Sequence, residues 1–158
     1  MARHLSVGDA APDFDATLTD GSTFSLSETL AAGTGVILYF YPKDSTPGCT
    51  VQACDFRDSK SRLEAVGWRV IGVSKDSAKS HERFTAKHEL NFELIIDSDL
   101  ELHEVYGTWT EKKLYGRTFL GCIRSTFAIS PNGNLSWVGY GVRAKGHVER
   151  LMYDLEIE

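Results

Sequence analysis

The chain has 158 residues and a formal net charge of −5, from 17 Lys and Arg against 22 Asp and Glu; 42% of its residues are hydrophobic and 25% charged. That length suits one domain, expected over residues 1–158, and buries enough apolar surface to fold without metal or disulfide staples. A mildly acidic chain with no dense Lys/Arg cluster lacks the electrostatic footprint of a nucleic-acid binder or a membrane-surface protein, and its longest apolar run, residues 36–41, is too short to span a bilayer. The opening residues carry polar groups every few positions and no apolar stretch of the kind a leader needs, so the cytoplasm is the expected location. Three cysteines, an odd number, fit a reducing compartment better than a disulfide-stapled fold.

In chain order, Gly8 to Phe14 reads as an irregular lead-in, and Thr23 to Leu26, after the turn-forming Asp20-Gly21, as a short edge strand. Gly35 to Tyr41 (GVILYFY) is a continuous apolar, β-rich run, the pattern of a central strand buried on both faces. Pro42 ends it, a loop runs from Lys43 to Gly48, and Cys49 to Val66 reads as a helix stopped by Gly67. Trp68 to Val73 is a second core strand, Ser77 to His88 a second amphipathic helix anchored by Phe84, and Phe92 to Ile96 a third strand. Leu102 to Tyr106 is a short helix ending at Gly107, Ile123 to Ile129 a fourth strand, and residues 131–134 (PNGN) a hairpin turn into Leu135 to Val138. Gly146 to Leu155 completes the chain as a helix. Alternating strands and helices imply a three-layer α/β/α sandwich with a mixed central sheet. This is the general pattern of a thioredoxin-like fold, and periodicity alone does not separate it from a flavodoxin-like sheet.

The chemically informative stretch is Pro42-Lys43-Asp44-Ser45-Thr46-Pro47-Gly48-Cys49-Thr50-Val51-Gln52-Ala53-Cys54. It lies past the carboxyl end of a central strand, where reactive groups gather in open α/β sheets. At a helix start, backbone N–H groups lack intrahelical partners and the dipole favours negative charge, so a thiol there is biased toward the nucleophilic thiolate. Within one helix, Cys49 and Cys54 would have Cα atoms ~8.6 Å apart, from ~1.5 Å rise and ~100° per residue. That exceeds the ~7 Å limit for a disulfide, so a bond between them requires the first turns to unwind, which the β-branched Thr50 and Val51 make easier. The C-x4-C spacing matches neither a C-x-x-C dithiol oxidoreductase nor a zinc site, because no second Cys/His pair stands at ligand spacing. His81 and His88, seven apart on a helix, read as surface residues. Cys122 stands two residues before Arg124; on one strand their side chains would share a side, and a small buried hydrophobe is the plainer reading of Cys122.

These residues resemble the peroxiredoxin motif P-x-x-x-T-x-x-C, met by Pro42, Thr46 and Cys49. The longer TPGCT-x-x-A-C form is similar to the bacterioferritin-comigratory-protein branch, also called PrxQ. The likeness extends through the G-x-x-A-P-x-F opening, the YFYP strand end, DFRD after Cys54, and RSTF from Arg124, so it covers essentially the whole chain.

The resemblance implies a peroxidase acting on hydrogen peroxide and organic hydroperoxides. Cys49 would be the peroxidatic cysteine and Cys54 the resolving one, with thioredoxin or glutaredoxin as the dithiol donor and no metal, haem or flavin cofactor. Thr46 would orient the peroxide, Pro42 would shield the site from water, and Arg124 would hold its guanidinium beside the sulfur. The branch is often monomeric, so a monomer is expected, with a dimer as the alternative. Gln52 stands where the family often has Glu, and removing a carboxylate next to the arginine would favour the Cys49 thiolate. The chain also lacks a GGLG segment and a C-terminal YF helix, which implies resistance to overoxidation. A thiol-disulfide oxidoreductase on the same fold, or a non-catalytic interaction module, are the competing expectations. The product formed after one equivalent of peroxide separates them.

Overall fold

The computed structural model describes residues 4–157. Its elements are β1 (Asp15–Leu18), β2 (Thr23–Ser25), α1 (Leu26–Ala31), β3 (Gly35–Phe40), α2 (Pro47–Ala65), β4 (Trp68–Ser74), α3 (Ala78–His88) and β5 (Glu93–Ile96). They continue with α4 (Glu101–Tyr106), β6 (Trp109–Leu114), β7 (Arg117–Cys122), β8 (Ser125–Ile129), β9 (Leu135–Tyr140) and α5 (His147–Asp154). A seven-stranded sheet runs β2-β1-β5-β4-β3-β8-β9, and β6 and β7 form a separate two-stranded hairpin.

The large sheet is mixed. β3 pairs in parallel with β4, placing Ile37 opposite Val70, and antiparallel with β8, placing Leu38 opposite Phe127. Every residue of β3 is buried, as its unbroken apolar run requires. Alternation sends Val36, Leu38 and Phe40 to one face, against Leu26 of α1, Tyr106 of α4 and Phe127 of β8. It sends Ile37, Tyr39 and Tyr41 to the other, against Phe56 and Leu63 of α2, Phe84 of α3 and Leu151 of α5. Helices therefore cover both faces, the three-layer α/β/α arrangement with a mixed sheet that the pattern implies.

The expected core strands and helices are all present, with ends shifted by a residue or two. Where a strand is expected from Thr23 to Leu26, β2 occupies the sheet edge but stops at Ser25, whose hydroxyl accepts from the Glu28 N–H and caps α1. The periodicity reading omits β1, α1 and the β6–β7 hairpin. It also starts the fourth strand at Ile123, whereas β8 begins at Ser125. Ile123 donates its N–H to the Thr108 carbonyl at 2.8 Å, so the chain is still turning out of the hairpin there.

His81, expected at the surface, is fully buried on α3. His88 is half-buried, its ring edge-on to Phe84. No helix among the described residues is long and apolar enough to cross a membrane.

Candidate active site

The site is built where β3 hands over to α2. Tyr41 continues the β3–β4 pairing by donating its N–H to the Val73 carbonyl, and Pro42 then carries the chain out of the sheet. Thr46 is the N-cap residue of α2 and Pro47 its first helical residue, a position where proline loses no hydrogen bond. The first intrahelical bond runs from the Thr50 N–H to the Thr46 carbonyl at 2.9 Å. Cys49 thus lies in the first turn, among N–H groups with no intrahelical acceptor. It is only 2% exposed.

Arg124 reaches this turn from the segment between β7 and β8. Its Nη2 donates toward Cys49 Sγ at 3.4 Å, and its Nη1 donates to Gln52 Oε1 at 2.7 Å. Gly48 makes room for it: a Cβ at that position would stand 3.1 Å from Nη2. A full positive charge is thereby fixed beside the sulfur, the arrangement that stabilises a thiolate and charge developing in its reaction. The Thr46 hydroxyl donates to the Lys43 carbonyl at 2.8 Å, which engages its proton and leaves its lone pairs to accept. Thr46, Cys49 and Arg124 therefore converge at one helix start, with Pro42 at the head of the loop that leads into it.

Cys54 lies five residues on in the same unbroken helix, half-buried, and all three cysteines are free. The reduced protein holds Cys49 and Cys54 apart, as helical geometry demands.

Cys122 does not share a side with Arg124. It ends β7, packs with Phe40, Tyr106 and Phe127 on the face opposite Cys49, and is separated from β8 by the turn at Ile123 and Arg124. The rule that residues two apart face one way holds only inside a strand. Burial pushes the Cys122 thiol up to about 12, so it is a protonated, poorly nucleophilic group at neutral pH.

Three further residues line this region: Tyr39 and His147, which sequence reasoning overlooks, and Gln52, which it singles out. Tyr39 stacks on Phe56 of α2, and its hydroxyl is buried with no partner among the described residues. Burial first, then negative charge at Cys49, pushes its phenol well above the ordinary range, so it stays protonated. Gln52 is fully buried, and its amide nitrogen also has no partner among the described residues. His147, at the start of α5, pairs Nε2 with Thr126 Oγ1 at 2.8 Å. Burial first, and then Arg124, push its imidazole down to about 4. His147 thus adds no positive charge beside Arg124 at neutral pH. Nothing in the local pattern around position 147 announces this placement; the Gln52 departure from the usual Glu is the one readable signal. Among the described residues, no cluster of three or more His, Cys, Asp or Glu could hold a metal ion.

A buried cysteine at a helix start, held by a guanidinium on a mixed α/β sheet, defines a thiol-based enzyme. Residues 7–138 match the AhpC/TSA family. A putative peroxiredoxin of Mycobacterium tuberculosis is 42% identical over 153 residues, covering 97% of this chain and 96% of the relative. Peroxiredoxin Bcp of Bacillus subtilis is 40% identical over 152 residues, covering 96% of each. The crystal structure of a cysteine-to-serine mutant of Xylella fastidiosa PrxQ superposes with a TM-score of 0.89 at 32% identity, covering 98% of this chain and 97% of that one. A Xanthomonas campestris peroxiredoxin Q gives 0.85 at 37% identity, covering 96% and 95%.

The chain belongs to the AhpC/TSA family, with the thioredoxin-like fold, and its homologues are peroxiredoxins of the Bcp/PrxQ kind, which are thiol-dependent peroxidases.

Two outcomes follow from this geometry. In Gln52→Glu a carboxylate competes with the sulfur for Arg124, so alkylation of Cys49 at neutral pH should slow; an unchanged or faster rate would contradict the electrostatic reading. For His147 the folded state favours the neutral ring, whereas the unfolded ring takes up a proton below about 6.5. Stability should therefore fall as pH drops from about 6.5 to about 4, by on the order of 3 kcal/mol from this residue. Denaturant titrations of wild type and His147→Gln should show a flatter pH dependence in the variant across that window.

Proposed function

We propose that Cys49 is the peroxidatic cysteine and Cys54 the resolving cysteine of a cycle that needs no bound cofactor. The observation that carries this reading is the Arg124 guanidinium 3.4 Å from Cys49 Sγ at the start of α2. The Cys49 thiolate attacks the terminal oxygen of a peroxide, the O–O bond breaks, and Cys49 becomes a sulfenic acid. The leaving oxygen takes a proton and departs as water or an alcohol. Arg124 stabilises the negative charge that moves from sulfur to that leaving oxygen. Thr46, its proton engaged by Lys43, accepts a hydrogen bond from the peroxide O–H and orients it. Pro42 covers the site on the loop side and limits water.

In the second step the first turns of α2 unwind. The Cys54 thiol condenses with the sulfenic acid, releasing water and forming the disulfide. A dithiol donor, thioredoxin or glutaredoxin, then reduces that bond by exchange and is itself oxidised to its disulfide. Substrates are hydrogen peroxide and organic hydroperoxides; alkyl peroxide reduction activity is ascribed to the Xanthomonas campestris bacterioferritin comigratory protein, a solved structure 35% identical to this chain. The protein works as a monomer in the cytoplasm, where a reducing pool keeps its three thiols free.

Reduced protein treated with one equivalent of hydrogen peroxide should yield a Cys49–Cys54 disulfide with Cys122 still free. Cys49→Ser should abolish peroxide consumption, Cys54→Ser should stop at a trappable sulfenic acid, and Cys122→Ser should match wild type. Arg124→Ala should slow Cys49 oxidation by about 10²–10³, the usual cost of losing one such donor. Slow oxidation by peroxide combined with efficient insulin reduction would instead identify a disulfide reductase. A dimer in sedimentation at working concentration would overturn the monomer.

A further inference from the structure

Asp44 lies midway between Pro42 and Thr46 and is only 4% exposed. A carboxylate so deeply buried needs hydrogen bonds on both oxygens. Oδ1 accepts from the Tyr41 hydroxyl at 2.6 Å, while Oδ2 accepts from Ser80 Oγ at 2.8 Å and faces His81 Nδ1 at 2.7 Å. The His81 Nε2 lies 3.0 Å from the Ile95 carbonyl, which can only accept, so that nitrogen carries a proton. A second proton lies between Nδ1 and Oδ2, since two bare acceptors would repel. The Asp44 N–H donates to Asp76 Oδ2 at 2.8 Å, and Asp76 in turn accepts from Ser74 Oγ at 2.7 Å. The loop after β3 is therefore tied to the end of β4, to the first turn of α3 and, through His81, to β5.

These ties surround a conformational cost. Ser45 has φ 65, in the left-handed region, which costs a non-glycine residue on the order of 1–2 kcal/mol unless its neighbours enforce it. Asp44 is anchored on one side of Ser45, and the Thr46 hydroxyl bond to Lys43 closes the other. A buried polar pair of this kind is weak evidence of stabilisation, because apolar substitutes are often no worse. Its position at the loop that carries Pro42 and Thr46 gives it a different use.

We propose that Asp44 and His81 are positioning residues for peroxide reduction: their buried pair holds Pro42 and Thr46 in register with Cys49. The pair touches neither substrate nor sulfur and acts through the loop. This inference rests on the reading of Cys49 and Thr46 given above. It separates two reactions of the same thiolate. Peroxide attack needs Thr46 aligned, whereas alkylation by iodoacetamide needs only a reactive thiolate, which Arg124 and the start of α2 maintain without the loop.

The test compares those two rates in Asp44→Asn, His81→Gln and the milder Ser80→Ala. Asp44→Asn and His81→Gln should each slow hydrogen peroxide oxidation of Cys49 by about 10–100-fold, the cost of ångström-scale misalignment, with alkylation within about twofold of wild type. Ser80→Ala should show a smaller loss of the same selectivity, and it carries the test if the other two variants fail to fold. The double variant should lose little more than either single one, since both act through one contact. Peroxide oxidation at the wild-type rate in a folded variant, or an equal fall in both rates, would overturn the proposal. Peroxide consumption that survives Cys49→Ser would instead overturn the reading of Cys49 beneath it.

Discussion

The guanidinium of Arg124 on the sulfur of Cys49 is the contact on which the rest of the site depends. The two residues are 75 apart in sequence and meet only because β3 and β8 are neighbours in the sheet. β3 delivers the cysteine, one loop beyond its carboxyl end, to a helix start. β8, running the other way, delivers the arginine from the residue before its first. Gly48 leaves out the Cβ that would crowd the guanidinium, and Gln52, one helical turn past Gly48, takes the second N–H. A neutral His147 behind it leaves Arg124 as the positive group at the sulfur. Each of these choices concentrates charge stabilisation on one atom while keeping that atom almost wholly out of water, where such a contact is stronger.

The same helix imposes a constraint on the proposed cycle. A continuous α2 that starts at Pro47 keeps Cys49 and Cys54 beyond disulfide reach, so the proposed bond between them would require giving up backbone hydrogen bonds in about its first two turns. The rest of α2 is held by Phe56 and Leu63, both fully buried against the sheet, which marks where unwinding stops. On the other side the loop is pinned through Asp44. Residues 47–54 lie between two anchored regions, and their β-branched Thr50 and Val51, the latter exposed, contribute little to helix stability. Unwinding there would also draw the buried Cys49, Gln52 and Ala53 out of their packing.

Much of this is legible in the sequence because it depends on strong local signals. An unbroken apolar run such as GVILYFY has few homes other than a central strand, and Pro42, Pro47 and Gly48 mark the loop and place the helix start to within two residues, at Cys49 where α2 begins at Pro47. The hairpin of β6 and β7 escapes because Trp109 to Leu114 carries three charges in six residues and shows no buried face along most of its length. Its Tyr115-Gly116 turn, both residues left-handed, is the available clue. The four-residue β1 and six-residue α1 are too short for periodicity to register. His81 reads as a surface residue because the partner that buries it, Asp44, is 37 positions away and belongs to a loop. Alternation puts Cys122 on the wrong side because the turn between β7 and β8 is invisible to a count of residues. The His81 miss concerns long-range pairing, which one sequence does not display; the others concern short elements and a local turn.

The central claim, that a fixed site must come apart at one defined place to complete its cycle, is tested most directly by amide hydrogen exchange on the reduced and disulfide forms. The account predicts that residues 48–54 lose protection in the disulfide form, while the core strands and the part of α2 from Phe56 onward keep theirs. Full protection of residues 48–54 in a protein shown to contain the Cys49–Cys54 bond, or loss of protection along the whole of α2, would contradict it.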